Sequence, residues 1–479
     1  MVNSKTFSRE AKAFLKQNYP IYPATGIAST ILGTFAALVL IPDNPYPAGA
    51  LFPSGLAMTI GLAFAPALAA FQNIKVLLRA EHILILSPIY WLLLDLLQSA
   101  YDLRGVDTED IENAFIAIGL FACGVWTASL FSLWKPPKML IKSARRTITT
   151  KQTFLLILFF FFLGFFYYAY SANFDFPRMF YALGENRWSA PWARGQLGGW
   201  NAFVFHMRYF GYLVPVLTAS LWVKSDDKKN SKIIISILLS IVMLAFLGQG
   251  GGRRIVGGIL TATFINWFVQ QNKIDFRRVL VSIVSIVLIA SLLQLILVYR
   301  NVGYSAIFSN QVEVTSPDYV HVDDNFLRLS QTIDIVPSQH SYVYEKFVFW
   351  ALVRPIPRVF WPGKPTDPGF SLADTLGAGN VSYTMTVIGN FYISFGWLAI
   401  IVGGWFYGKL AGMTSTLLAL DPPERKRSAN SLVYSLSVMA LFVGMRSLIG
   451  LVLSSYTLLA WLLISSFLSK QNTRKLQDR

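Results

Sequence analysis

The side chains most able to do chemistry in this sequence are arginines placed where glycine or proline bends the chain. The string GQGGGRR at 248–254 sets Arg253 and Arg254 at the start of an apolar segment. Its glycines allow a sharp turn and bare the backbone amides. A helix starting there turns the positive end of its dipole toward both guanidinium groups, which is unfavourable unless an anion joins them. A phosphate would accept from the amides, the helix end and both arginines. The alternative is a glycine hairpin whose arginines reach lipid headgroups. With no predicted strand before the string and no Lys-Ser/Thr after it, a nucleotide-binding loop is excluded.

A second string, RPIPRVFWPGKP at 354–365, carries Arg354, Arg358 and Lys364 among Pro355, Pro357, Pro362 and Pro365. The prolines restrict the backbone, and Phe360 and Trp361 could anchor it at a membrane interface. That would hold the three cations in an arc, although an amphipathic loop with no binding role has the same composition. Arg300 and Arg328 lie in the stretch leading to this string. Arg208 falls inside a predicted span beside His206 and Tyr209. An intramembrane arginine is by default a functional candidate, and it becomes merely interfacial if the span starts later. Arg446 interrupts the last apolar block and reads either as a further phosphate contact or as an interfacial anchor. Arginine stays protonated and grips phosphate with two prongs, so these residues together point to a phosphorylated substrate.

His340 is the histidine nearest the 354–365 string and could accept a proton from a sugar hydroxyl. Asp323, Asp324, Asp334 and Glu345 compete for that role in the same stretch. The four histidines show no HExxH spacing and Cys123 is the single cysteine, so neither a zinc-peptidase site nor a cysteine metal cluster is expected.

Apolar helices must position these residues. The sequence is 54% hydrophobic and only 14% charged, the profile of a polytopic membrane protein. A helix needs about 20 apolar residues to cross ~30 Å of hydrocarbon. Segments of that kind begin near residues 24, 50, 81, 111, 153, 201, 231, 254, 279 and 386. The block 430–469 is too long for one span, and Arg446 divides it into two helices joined by a tight turn. The expectation is an all-α polytopic membrane protein, one integral domain over 1–479, with about 12 transmembrane helices and both ends on one side.

The charges between spans fit that count. Lysine gathers in the amino-terminal tail, at 75, 135–151, 224–232, 273 and 409, and with Arg79, Arg425, Lys426 and Arg427 it fills the short connections of one face. By the positive-inside rule that face is cytoplasmic, and so are both termini. On the other face lie the acidic connection 101–112 and two long loops. Residues 173–200 carry Arg178, Arg187 and Arg194 among aromatics, and 299–385 hold the proline-rich string. The formal charge of +16 is then loop charge meeting anionic lipid, and no nucleic-acid module is present.

Three local strings, GGGRR, IPRVFWPGKP and GNFYISFGWLAIIVGG with Gly389, Tyr392, Phe395 and Gly396, fall within residues 248–408. Together they resemble the bacterial oligosaccharide repeat-unit (O-antigen type) polymerases. The resemblance implies a GT-C-like bundle in the bacterial inner membrane, with a large periplasmic loop carrying the active site. It implies transfer of a growing glycan from undecaprenyl pyrophosphate to a new lipid-linked repeat unit, with no cofactor and no metal. Membrane lipids and a chain-length regulator would be further partners. By the same likeness Arg253 or Arg254, with Arg358, would hold the pyrophosphate. Family members commonly show a small residue after the first arginine, whereas this chain has two arginines in a row. Two rivals are a ligase that passes one finished glycan to another lipid, and a flippase for lipid-linked oligosaccharide. A flippase needs charges deep in several spans, and here only Arg208 and Asp95 are candidates.

Overall fold

A computed structural model describes residues 4–193, 200–250, 252–271, 275–305, 319–356, 358–379, 381, 383–420 and 428–477. Arg194, Lys273, Pro357, Arg425, Lys426, Arg427 and Arg479 lie outside them, as do the side chains of Lys5, Arg9, Lys470, Arg474 and Lys475. Fifteen helices organise the chain: α1 Ser4–Asn18, α2 Pro23–Val39, α3 Phe52–Gln72, α4 Ala80–Leu97, α5 Thr108–Leu130, α6 Thr150–Ser171, α7 Leu213–Lys224, α8 Ser231–Gln249, α9 Arg253–Val269, α10 Phe276–Tyr299, α11 Asn325–Ile335, α12 Glu345–Val353, α13 Thr386–Ser415, α14 Asn430–Arg446 and α15 Leu448–Gln477. Among the described residues the only β pairing is the isolated bridge Thr147–Ser428.

A helix stands at each of the twelve apolar segments read from the sequence, and the last block divides after Arg446. Among the described residues, eight helices are long and apolar enough to cross a membrane, or up to nine if the bent pair Glu10–Asn18 and Pro23–Val39 counts as one. The chain is therefore a polytopic helical membrane protein. The difference from twelve has a local cause. Helices α2, α9 and α14 are 17 residues each. The segment from 201 is broken into Trp200–Phe205, Arg208–Gly211 and α7. Pro215 lacks an amide hydrogen, so the carbonyl of Gly211 has no helical donor four residues on, which accounts for the second break, between Gly211 and α7.

The connections sort to two ends of the bundle. At one end the Ala48 amide donates to Asp102 (2.9 Å), Gln98 pairs with the backbone of Val320, and the Arg187 amide donates to the Arg300 carbonyl (2.9 Å). Trp192 donates to Gln249 there at 2.7 Å. At the opposite end Asn73 reaches Asn18, Lys75 reaches Gln271 and the Ala429 amide donates to Arg146. These are the arginine-rich and lysine-rich faces read from the sequence.

Several charges read as solvated loop residues have structural work. Lys409 lies within α13, buried, and donates to the carbonyls of Ala128 (2.9 Å) and Ser132 (3.0 Å) past the end of α5. The Lys224 ammonium donates to Ile148. The Lys409 cation thereby satisfies carbonyls at the carboxyl end of α5 that have no partner within the helix, whereas Ile148 lies in the connection ahead of α6. Arg79 is buried against Glu81 at 2.9 Å, and Ser415 donates to the same carboxylate. Helices α5 and α13 meet so closely that a Cβ at Gly404 would lie 2.3 Å from the Phe121 carbonyl, so the glycines of the VGG string serve packing. Phe395 and Gly396 kink α13, where Gly396 takes φ +66°.

The stretch between α10 and α13 is largely folded onto the bundle. Helix α11 packs on α5 and α13, with Phe326 against Phe115 at 4.8 Å. Helix α12 packs on α13 and α15. By contrast α10 buries only Ile296 among its 24 residues.

Candidate functional site

Successive residues of a helix point about 100° apart, so the paired arginines that open α9 serve different neighbours. Arg254 faces a small, half-open recess lined also by Arg208, Tyr209, Tyr212, Gly258, Val443 and Ser454. The wall residues Met439 and Val443 belong to the last turns of α14, and Gly450 and Leu453 to the first turns of α15. The recess thus lies within roughly 10 Å of the arginine-rich end, by the rise of 1.5 Å per helical residue.

Local sequence explains why Arg208 is there. Its one-turn helix lies tight on α6, because a Cβ at Gly164 would sit 2.7 Å from the Cα of Gly211. The guanidinium stacks 3.6 Å from the Phe205 ring centroid and 5.3 Å from that of Tyr209. Its Nε is buried with no hydrogen-bond partner, and so are the hydroxyls of Tyr209 and Tyr456. Tyr456 packs on Tyr209 with ring centroids 5.0 Å apart. Among the described residues no carboxylate stands within ion-pair distance of Arg208. A half-buried guanidinium with π partners, a buried Nε and no carboxylate beside it among the described residues is costly to keep, and functional sites are where such charges are retained.

Arg253 turns the other way. Its guanidinium donates to the His321 carbonyl (2.8 Å) and to Asp323 (2.6 Å), while Arg446 donates to the second oxygen of Asp323 at 2.8 Å. One carboxylate therefore ties the start of α9 to the end of α14. Burial pushes the Asp323 carboxyl up, but Arg446 and Arg253 outweigh it and hold the group down at about 2. Arg300 joins this cluster: burial first, then the charges of Arg187 and Arg253, lower it to about 10, and its Nε is buried without a partner. His321 sits beside them, with Nδ1 3.7 Å from Asp324 and burial holding the imidazole below its usual value.

The third group is the 354–364 turn. Arg354 ends α12, exposed, with its guanidinium 5.0 Å from the Trp350 ring centroid. Arg358 is exposed as well. Lys364 is buried and donates to the carbonyls of Ile356 (2.7 Å) and Arg354 (3.3 Å), so it closes the turn that carries the two arginines. Burial, then the nearby Arg354 and Arg358 charges, keep its ammonium below the usual lysine range.

The sequence-derived candidates thus divide. Arg208 and Arg254 meet in one recess, Arg253 and Arg446 meet on Asp323 with Arg300 alongside, and Arg354, Arg358 and Lys364 form the exposed turn. Arg328 joins none of these groups directly. It donates to Gln331 (2.8 Å), stands 3.7 Å from Asp324 and stacks over Tyr383 at 3.8 Å. His340 bonds the Ser341 carbonyl through Nδ1 (2.7 Å) and packs on Phe370, and among the described residues no hydrogen bond, ion pair or ring contact joins it to an arginine. Sequence reasoning placed Asp323 only among candidate bases, and it passed over Tyr212, Ser454 and Tyr456. The neighbouring Arg208 is the one signal in the sequence for Tyr212. No family model, no curated protein and no solved structure matches this chain.

Proposed function

We propose that the recess between Arg208 and Arg254 binds the pyrophosphate of a polyprenyl-linked oligosaccharide, and that the chain is a GT-C-like polymerase. It would join repeat units by moving the growing glycan from undecaprenyl pyrophosphate onto a new lipid-linked unit. One observation carries the reading: two guanidinium groups face a recess set among apolar helices, and that of Arg208 has a buried, unpartnered Nε and no carboxylate beside it among the described residues. An amphiphile with an anionic head and a long apolar tail is the ligand class that suits such a setting. The further reading has twelve spans, both termini cytoplasmic and the recess facing the periplasm of a bacterial inner membrane. It rests on the charge sorting and on the resemblance in residues 248–408.

The chemistry asks little beyond charge stabilisation. The bond between the anomeric carbon and the pyrophosphate oxygen breaks, a bond to the acceptor hydroxyl forms, and that hydroxyl's proton passes to a base. Pyrophosphate is a good leaving group, and arginines fixed beforehand stabilise the charge that develops on it. Arg354 and Arg358 on the exposed turn are the cations available to a second phosphate or to the glycan, and His340 is the first base to test.

The test is purified protein in detergent with a lipid-pyrophosphate repeat unit, read as glycan products on a gel. A ladder of regularly spaced lengths is expected, and it disappears in Arg208→Ala and Arg254→Ala. One transfer per chain, seen only with an added acceptor lipid, would mark a ligase instead. Unchanged glycan with substrate moved across a vesicle membrane would mark a transporter.

A further inference from the structure

We infer that Asp323 is an internal anion at the rim of the recess: a phosphate group entering there exchanges with its carboxylate on Arg253 and Arg446 and releases the segment 319–324. The inference rests on the recess being an anion site.

Position is the first argument. Arg253 precedes Arg254, which lines the recess, and Arg446 lies three residues beyond Val443, which also lines it. The bridge Arg253–Asp323–Arg446 therefore spans the rim from α9 to α14, at 2.6 and 2.8 Å. Each carboxylate oxygen takes one guanidinium. A phosphate presents oxygens in the same way, with more charge, to the same donors. Asp323 thus fills a place that suits the ligand.

The surrounding charge is the second argument. Arg300 lies close enough for Arg187, Arg253 and Arg446 all to act on it, and its buried Nε has no partner. Asp323 is the carboxylate that pairs with Arg253 and Arg446, while Asp324 turns to His321 and Arg328, so an anion more highly charged than one carboxylate is favoured on those two guanidiniums.

Backbone strain is the third argument. Asp323 and Asp324 are consecutive non-glycine residues at φ +86° and +52°. Side chains rarely adopt that region, and two in succession persist only where surrounding contacts impose them. The contacts that do so here are the two ion pairs of Asp323, the Arg253 bond to the His321 carbonyl, and the bonds that the Val322 and Val320 amides donate to Asp95 and Gln98. Taking Arg253 and Arg446 away from Asp323 removes both of its ion pairs, and the segment can then relax about the bonds that Asp95 and Gln98 keep to it.

The experiment titrates the full-length protein in detergent with inorganic pyrophosphate, by calorimetry and by hydrogen exchange, in wild type, Asp323→Asn and Asp323→Glu. Asp323→Asn keeps the shape but removes the competing charge, so it should bind pyrophosphate about ten-fold tighter or better, whereas Asp323→Glu should resemble wild type. In wild type, pyrophosphate should raise exchange across 319–324 while protecting the start of α9. Equal or weaker binding by Asp323→Asn, with wild-type binding intact, overturns the exchange and leaves the anion site standing. Should Asp323→Asn fail to fold, the wild-type exchange data decide alone: added protection of 319–324 would overturn the inference. Absence of pyrophosphate binding in every variant sinks the anion site itself, and the inference with it.

Discussion

Arg208→Met separates an arginine kept for a ligand from one kept for the fold. Without ligand, the wild-type guanidinium gains a cation–π contact over Phe205 at 3.6 Å, worth about 2 kcal/mol when desolvated. Against this stands the burial of a charge with no anionic partner, which costs several kcal/mol. The balance favours methionine, so the ligand-free variant should be more stable by about 1–3 kcal/mol. With pyrophosphate the gap narrows, by an amount comparable to the gap itself. At a ligand concentration 100 times Kd, wild type gains about 2.7 kcal/mol. Removing one charge-assisted contact costs about 1.5–3 kcal/mol of binding, roughly 10- to 160-fold in Kd. The gain at the same concentration then falls to about 0.3–1.3 kcal/mol. Thermal unfolding of detergent-purified protein with and without inorganic pyrophosphate reads both quantities. A destabilised ligand-free variant that keeps the full pyrophosphate shift would refute the reasoning and make Arg208 a packing residue.

Three further outcomes follow from the geometry. Arg446→Ala leaves Asp323 with Arg253 alone and should cost about 2–3 kcal/mol in thermal unfolding, below the ~3–5 kcal/mol of a fully orphaned buried charge. Asp323 is held at about 2 against an ordinary 3.8, so its clamp contributes about 2 kcal/mol. A depressed carboxyl stabilises above its unfolded value, so this contribution should be complete above about pH 5 and fade as pH falls toward 2. Unfolding measured between pH 6 and pH 2 should show that slope in wild type and lose it in Asp323→Asn. His340→Ala should bind pyrophosphate within about two-fold of wild type, because the imidazole touches Phe370 and Ser341 and no arginine; calorimetry checks it.

Hydropathy made the helices legible, because lipid demands long apolar segments whatever their neighbours. It also located the division after Arg446. It could not foresee the broken entry into α7, where one proline leaves the carbonyl of Gly211 without a helical donor. Charge type located the two ends, but not what each charge does there. Lys409 and Lys224 cap carbonyls and Lys364 closes a turn, roles set by backbone atoms that carry no sequence signature. The division of labour between Arg253 and Arg254 was hidden for a similar reason. It depends on helix phase and on Asp323, which lies 70 residues from Arg253 in sequence and beside it in space. Tyr456 reaches Tyr209 from a different helix, with nothing in its own neighbourhood to announce it.

The anion recess is tested most directly by native mass spectrometry of the purified protein with undecaprenyl pyrophosphate. Wild type should retain one lipid per chain, and the double variant Arg208→Met with Arg254→Ala should retain none while remaining folded. Equal retention by both would contradict the assignment of these two arginines to the pyrophosphate.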